Sequence, residues 1–290
     1  MNKLTRKLLS VFLAVAMIVT ILPPVTAQAA TKTEKMTLYK GEILEVSDNY
    51  LSTVKSVSTT KKSIVAAKKD PKRDYKAVLT AKKTGKSTVT VKTKRGTFKY
   101  AITVKNYNFA VSFKDIGNNK ILMTVKNNNK DAFDQVQFTY SLCDASGNVV
   151  EKKEKVFSDL LPGKKSYETI SVYGLDIDPS QCSAKVKANN RYPDAKYTNL
   201  GSKVKVTTTE NTTSDYTEIT LKMKNNSKSS ARGSVFVLIY DAQDNIIEMR
   251  DVYVGTLDAG NVKTDSIKIY NYIGEYDHCE VVPAIYSKTF

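Results

Sequence analysis

The sequence predicts an all-β protein, a string of tandem β-sandwiches behind an N-terminal signal peptide, and three observations predict it. Apolar and polar residues alternate with a period of two, a long segment recurs at a fixed offset, and a basic, apolar leader precedes both. The alternation is plain in Phe98-Lys99-Tyr100-Ala101-Ile102-Thr103-Val104 and in Thr88-Val89-Thr90-Val91. Neighbouring side chains of a strand point to opposite faces, so such runs are half-buried strands. Thr, Val, Tyr and Ile crowd these runs, Gly, Asn, Asp and Pro punctuate them, and no segment after the leader carries a helical stripe.

The repeat sets the domain count. Segments beginning Lys126-Asn127-Asn128 and Lys224-Asn225-Asn226 run in step, after a single-residue slip, at an offset of 97. Asp144 then matches Asp241, Asn148 matches Asn245, Leu160 matches Leu257, and Gly163 matches Gly260; Ile170, Tyr173 and Cys182 match Ile267, Tyr270 and Cys279. Identities scattered at one offset across a whole unit mark a duplication. In each copy an apolar strand, Val136–Leu142 or Val235–Tyr240, enters a polar turn and returns through Val149-Val150 or Ile246-Ile247, as a hairpin does. The expected division is 1–30, signal peptide; 31–105, leading sandwich; 107–190 and 203–290, the two repeats. Pro193, Gly201 and polar residues break the alternation between the repeats, and linkers this short predict an extended rod.

The leader sets the expected compartment. Lys3, Arg6 and Lys7 precede an apolar stretch from Leu8 to Leu22, Pro23 and Pro24 end it, and Ala27-Gln28-Ala29 supplies small residues for cleavage after Ala29 or Ala30. About fifteen residues are too few for a comfortable membrane span, so the mature chain is expected to leave the membrane as a secreted protein. Cys143, Cys182 and Cys279 are too few for a disulfide framework, although export permits a Cys143–Cys182 bridge.

The charge is distributed unevenly. The chain carries +16 overall, but residues 31–105 hold nineteen Lys and Arg against six Asp and Glu, whereas residues 106–290 hold twenty-three of each. A field of one sign on one small domain attracts polyanions. Lys61, Lys62, Lys68, Lys69, Lys72, Arg73, Lys82, Lys83, Lys94 and Arg95 are the candidate contacts to an anionic cell-wall polymer or extracellular polysaccharide. Nucleic acid could be held by the same physics, but no aromatic residues interleave with these basic residues for base stacking and the chain is expected to be exported, so nucleic acid is not expected as a partner. Sugar binding instead wants exposed aromatic rings, for which Tyr192, Tyr197 and Tyr272, in or near loops, are the candidates.

Residues 31–105 resemble the bacterial Ig-like domain of group 2, through Leu38-Tyr39-Lys40-Gly41-Glu42, the Ser-rich stretch from Ser56 to Val65, and the closing Ala81-Lys82-Lys83-Thr84-Gly85-Lys86-Ser87-Thr88-Val89-Thr90-Val91. The middle-strand Trp frequent in that family is absent, with Val57 nearest its place. Phe236-Val237-Leu238-Ile239-Tyr240-Asp241 with Leu257-Asp258-Ala259-Gly260, and Leu142-Cys143-Asp144 with Leu160-Leu161-Pro162-Gly163, resemble the FxLYD family of extracytoplasmic sandwiches. Both resemblances imply Ig-like sandwiches that bind or space rather than catalyse, and neither implies a ligand residue.

Catalysis is not expected. The single histidine, His278, adjoins Cys279, but strand neighbours point to opposite faces and cannot form a dyad. No His and Cys cluster stands at metal-ligand spacing and no Gly-rich phosphate loop is present, so neither metal nor cofactor is expected. The turns Asp144–Asn148 and Asp241–Asn245 offer oxygens that calcium could use, and tight-turn geometry explains them equally well. Asn211-Thr212-Thr213 and Asn225-Asn226-Ser227 match glycosylation sequons of the kind an Asn- and Thr-rich chain produces by chance.

Overall fold

A computed structural model describes residues 31–48, 50–190 and 195–289. The leader, its cleavage site, Tyr192 and Pro193 lie outside the described residues. The described residues are all-β apart from one short 3-10 turn at Pro179–Gln181, and they divide after Lys105 into two compact units.

The first unit contains β1 (Lys32–Tyr39), β2 (Ile43–Val46), β3 (Val54–Thr59), β4 (Val65–Lys69), β5 (Ala77–Ala81), β6 (Gly85–Thr93) and β7 (Thr97–Lys105). They form sheets of order β1-β7-β6-β3 and β2-β5-β4, with β1 parallel to β7 and the other neighbours antiparallel. This is the two-sheet arrangement of an Ig-like sandwich. Alternation places Val89 and Val91, Tyr100, Ile102 and Val104 inward against Leu38, Val54, Val65 and Leu79. The intervening lysines and threonines face water.

The second unit holds both repeats. The first has β8 (Phe109–Asp115), β9 (Lys120–Asn127), β10 (Phe133–Cys143), β11 (Val149–Leu160), β12 (Lys165–Ser171) and β13 (Ser183–Asn190). The second has β14 (Lys196–Asn199), β15 (Val204–Thr212), β16 (Tyr216–Asn225), β17 (Arg232–Tyr240), β18 (Ile246–Tyr253), β19 (Val262–Tyr270) and β20 (His278–Thr289). Sheets β11-β10-β13 and β12-β9-β8 of the first correspond to β18-β17-β20 and β15-β16-β19 of the second, where β14 adds a fourth strand beside β20. The expected hairpins are β10–β11 and β17–β18. Phe133 faces Leu160 and Ala231 faces Leu257, so the slip lies between these pairs and the equivalent Phe138 and Val235.

The Asn of each Lys-Asn-Asn opening is a buried strut. Asn127 Nδ2 donates to the carbonyls of Asp131 and Leu160 at 2.9 and 2.8 Å, and its Oδ1 accepts from Asn129 N. Asn225 repeats the pattern with Ser229 O, Leu257 O and Ser227 N. A side-chain amide fully occupied this way is no glycan acceptor, which removes the sequon at Asn225.

The repeats do not stand apart as the rod expectation required. Ile116, Leu122 and Tyr167 of the first pack with Phe236, Leu238 and Met249 of the second in one buried cluster, and the rings of Tyr167 and Phe236 meet edge to face at 5.2 Å. Beside this cluster Lys120 Nζ lies 2.6 Å from Glu248 Oε2, a carboxylate only 1 % exposed. On the other flank Asp134 accepts from the Tyr197 hydroxyl and from Lys288 Nζ, and the Tyr286 hydroxyl donates to Asp159. Linker length limits how far apart two domains can sit, but apolar surface decides whether they touch, and these repeats carry it.

Asp159 is strained, with φ +52° in the left-handed region; near the matching point of the second repeat that region is occupied by Gly255 at φ +72°. Burial, partly opposed by the Tyr286 bond and the Lys288 charge, pushes the Asp159 carboxyl above its ordinary range. A carboxyl whose folded pKa is raised holds its proton more tightly when folded, so stability is greatest below the unfolded value and falls as pH rises through the folded one. Asp159→Asn removes that charge and suits the left-handed backbone. It is expected to stabilise the second unit at pH 7 by on the order of 1 kcal/mol, raising its melting temperature by roughly 2–4 °C, with a smaller gain at about pH 3, where only the backbone contribution remains. Thermal unfolding followed by circular dichroism at the two pH values checks this.

Candidate functional site

Antiparallel pairing returns turns that are distant in sequence to the same end of a sandwich. At one end of the first unit, Lys40 N donates to Lys105 O at 2.8 Å, Gly41 N to Ala81 O at 2.7 Å, Lys82 N to Ile64 O at 2.8 Å and Ile64 N to Lys61 O at 3.0 Å. Lys61 N reaches Ser87 Oγ at 3.1 Å. These bonds gather Lys40, Lys61, Lys62, Lys82, Lys83, Lys86 and Lys105, all exposed, around one rim. Among the described residues none of the seven is in an ion pair. The acid at this end, Glu42, is buried, and its Oε2 accepts from Tyr39 N at 2.7 Å.

The opposite end has a different character. Val54 N donates to Asp74 O and Lys94 N to Thr53 O, bringing Lys72, Arg73, Lys94 and Arg95 together. Arg73 pairs with Glu45 and with Asp70, and Lys76 pairs with Glu45 at 2.8 Å. The Lys76 ammonium first, and then Arg73, hold the Glu45 carboxyl below its ordinary range. Arg95 lies over the Tyr50 ring, 3.9 Å from its centroid. Lys68 and Lys69 are exposed where β4 runs into this same end, Lys69 pairing with Ala77 and leading directly into Asp70. The ten basic residues singled out in the sequence therefore form no single patch. Lys61, Lys62, Lys82 and Lys83 share an end without ion pairs, while the opposite group is interleaved with acids. Lys40, Lys86 and Lys105, which sequence reasoning passed over, join the first group through strand pairing.

Lys86 also borders a groove of about 560 Å³ across the β1-β7-β6-β3 sheet. Its lining includes Lys35, Thr37, Thr60, Thr88 and Thr103 and contains no acidic residue. Hydroxyl donors between two ammonium groups suit phosphate, sulfate or carboxylate oxygens.

The tyrosine candidates separate. Tyr197 sits on β14, with its hydroxyl bonded to Asp134 and its ring 5.3 Å from that of Tyr286; burial first, then the Asp134 bond, push its pKa above the ordinary phenol range. It ties the repeats together and offers no open ring face. Tyr272 is 81 % exposed, its ring 5.6 Å from that of Tyr270 with the planes 16° apart. Tyr216 stands edge-on to Tyr270 at 5.8 Å, and Lys268 Nζ lies 4.2 Å from the Tyr216 centroid.

His278 stacks on Tyr240 with centroids 4.8 Å apart and has Asp277 Oδ2 2.9 Å from its Nδ1, and Tyr240 in turn packs against the cluster between the repeats. Cys279 faces the opposite way, toward the core of the second repeat, and burial raises its thiol pKa. Cys143 and Cys182 are neighbours without a bridge, the Cys143 amide pointing at Cys182 Sγ at 3.5 Å. The oxygens of Asp144 are taken by Ser146 N, Asn148 N and Asn148 Nδ2, and those of Asp241 by Gln243 N, Asn245 N and Asn245 Nδ2, so both carboxylates serve their turns. Among the described residues no group of three or more His, Cys, Asp and Glu is placed to hold a metal. A second groove, of about 330 Å³, lies between the repeats and is lined by Tyr167, Phe236, Asp159 and Asp251 together with the Lys155–Glu168 ion pair.

No family model matches the chain, and no curated protein matches it. Among solved structures, the chain is similar to red sea bream transglutaminase at 12 % identity, covering 57 % of this chain and 27 % of the transglutaminase, with a TM-score of 0.19. It is also similar to the FN1–FN3 domains of chicken CNTN1 at 12 % identity, covering 84 % of this chain and 94 % of that one, with a TM-score of 0.15. The chain thus spans about a quarter of the transglutaminase's length, and neither superposition is close enough to carry a functional argument.

Proposed function

We propose that the protein is an exported, non-catalytic binding protein of the cell envelope whose leading sandwich holds an anionic wall polymer or polysaccharide at its lysine-crowned end. One observation carries the reading: seven exposed lysines share a rim whose acid is buried, and the adjoining groove offers ammonium and hydroxyl donors without a carboxylate. Charges arranged this way remain available to a partner, and polymer binding by such a cluster is driven by counterion release and is therefore steeply salt-dependent. At the other end Glu45, Asp70 and Asp74 stand among the basic residues and offset their field, so that end attracts a polyanion less.

The test uses the chain without its leader on immobilised polyglycerol phosphate and on heparin. Retention at low salt is expected, with elution in a rising sodium chloride gradient and a log–log slope of affinity against salt of about four or more, as for a comparable number of phosphate contacts. Flow-through at low salt, or retention at molar salt, would refute an electrostatic tether.

A further inference from the structure

The second repeat presents a surface of another chemistry. On the outer face of the β15-β16-β19 sheet, Tyr216 pairs with Tyr270, Glu218 with Lys268, and Thr220 with Ser266, while the alternate residues Ile219 and Leu221 fill the core. Tyr272 extends the first row beyond the strand end, its ring stacked on that of Tyr270 and its outer face open, at 81 % exposure. Three rows spaced by two residues span roughly 14 Å. The strip therefore passes from aromatic rings through a mutually cancelling acid and base to a row of hydroxyls. Neither groove opens on it, and its sheet lies across the second repeat's core from the β17 and β18 residues that pack on the first repeat, although Asn118 Nδ2 of the first repeat donates to Ile273 O beside Tyr272.

We propose that this strip is a platform for a neutral polysaccharide chain. A sugar ring has an apolar face of C–H groups and an edge of hydroxyls. Tyrosine rings suit the first, and Lys268, Glu218 and the hydroxyl row suit the second. A face without a pocket covers too little of a monosaccharide to hold it, but it contacts successive units of a polymer. Within the strip Glu218 stands opposite Lys268 and offsets its charge, and the aromatic row, not the lysines Lys222 and Lys224 farther along β16, is what sets this face apart from the lysine rim of the leading sandwich. The inference does not rest on the polyanion reading, and the two fail separately.

The experiment measures retention of the leaderless chain on insoluble cellulose and on chitin, and its retardation in native gels containing glucomannan, all in molar sodium chloride. Binding to at least one of these is expected. Tyr270→Ala with Tyr272→Ala should weaken it at least about tenfold, equivalent to ~1.4 kcal/mol. Tyr272→Phe should retain it, and Tyr253→Ala, which removes an exposed ring elsewhere on the same repeat, should leave it unchanged. Circular dichroism establishes that each variant is folded, and the double variant should still bind polyglycerol phosphate at low salt. Absence of binding to all three glycans, equal binding by the double variant, or loss of wild-type binding on adding salt overturns the proposal. So does a change of oligomeric state in the double variant, which would make the strip a contact between copies of the chain.

Discussion

Lys61, Lys62, Lys82 and Lys83 changed together to Glu should lower affinity for polyglycerol phosphate by on the order of a hundredfold or more at low salt and flatten the salt dependence by about three in slope. The effect is large because four contacts are lost and four like charges are placed against the polymer at one rim. Lys68, Lys69, Lys72 and Lys94 changed to Glu alter net charge by the same amount, yet they lie outside the rim, and a loss of less than about tenfold is expected. Salt-gradient elution of both quadruple variants gives the comparison. Equal losses would assign binding to net charge alone and remove the site from that end of the sandwich.

Lys120→Ala should destabilise the second unit by about 3 kcal/mol, lowering its melting temperature by roughly 6–12 °C. Glu248 Oε2 receives Lys120 Nζ at 2.6 Å, its Oε1 accepts only Met249 N at 3.1 Å, and Arg250 stands farther off at 3.8 Å. Truncating the lysine leaves a buried carboxylate with a weak partner, and that unpaired charge is the cost. Adding Glu248→Gln to Lys120→Ala should recover much of the loss, because the amide needs no counter-charge. Thermal melts of the two singles and the double close the cycle. A small loss in Lys120→Ala, or no recovery in the double, would mean that the contact between repeats does not depend on this pair.

Much of this architecture was legible in the sequence because strand alternation reports directly on which face meets a core. The hairpins followed from apolar strands around Asp144 and Asp241, and the duplication followed from identities whose shared cause is visible in the struts Asn127 and Asn225. The contact between repeats left a trace that was passed over: Val235-Phe236-Val237-Leu238-Ile239 is apolar at every position, and all five are buried. A strand without alternation is covered on both faces, whereas β10 interleaves Gln137, Thr139 and Ser141 with its apolar residues. The partition of the lysines was not legible, since a count along the chain cannot say which turns antiparallel pairing will bring to the same end. Tyr270 and Tyr216 were equally hidden, because a cross-strand pair is a fact of register. Tyr197 misled because four residues flanked by polar sequence look like linker until a neighbouring sheet recruits them.

That recruited segment has a practical consequence for anyone cutting the gene. β14 closes the border of a sheet whose adjacent member, β20, is twelve residues long, pairing Lys196–Asn199 with Tyr286–Thr289. A fragment started at residue 203 discards the cover and leaves a row of unsatisfied amides and carbonyls open to strands from other molecules. Starting at Ala195 keeps the cover, so the duplication's apparent limits are a poor guide to where the second copy can be severed.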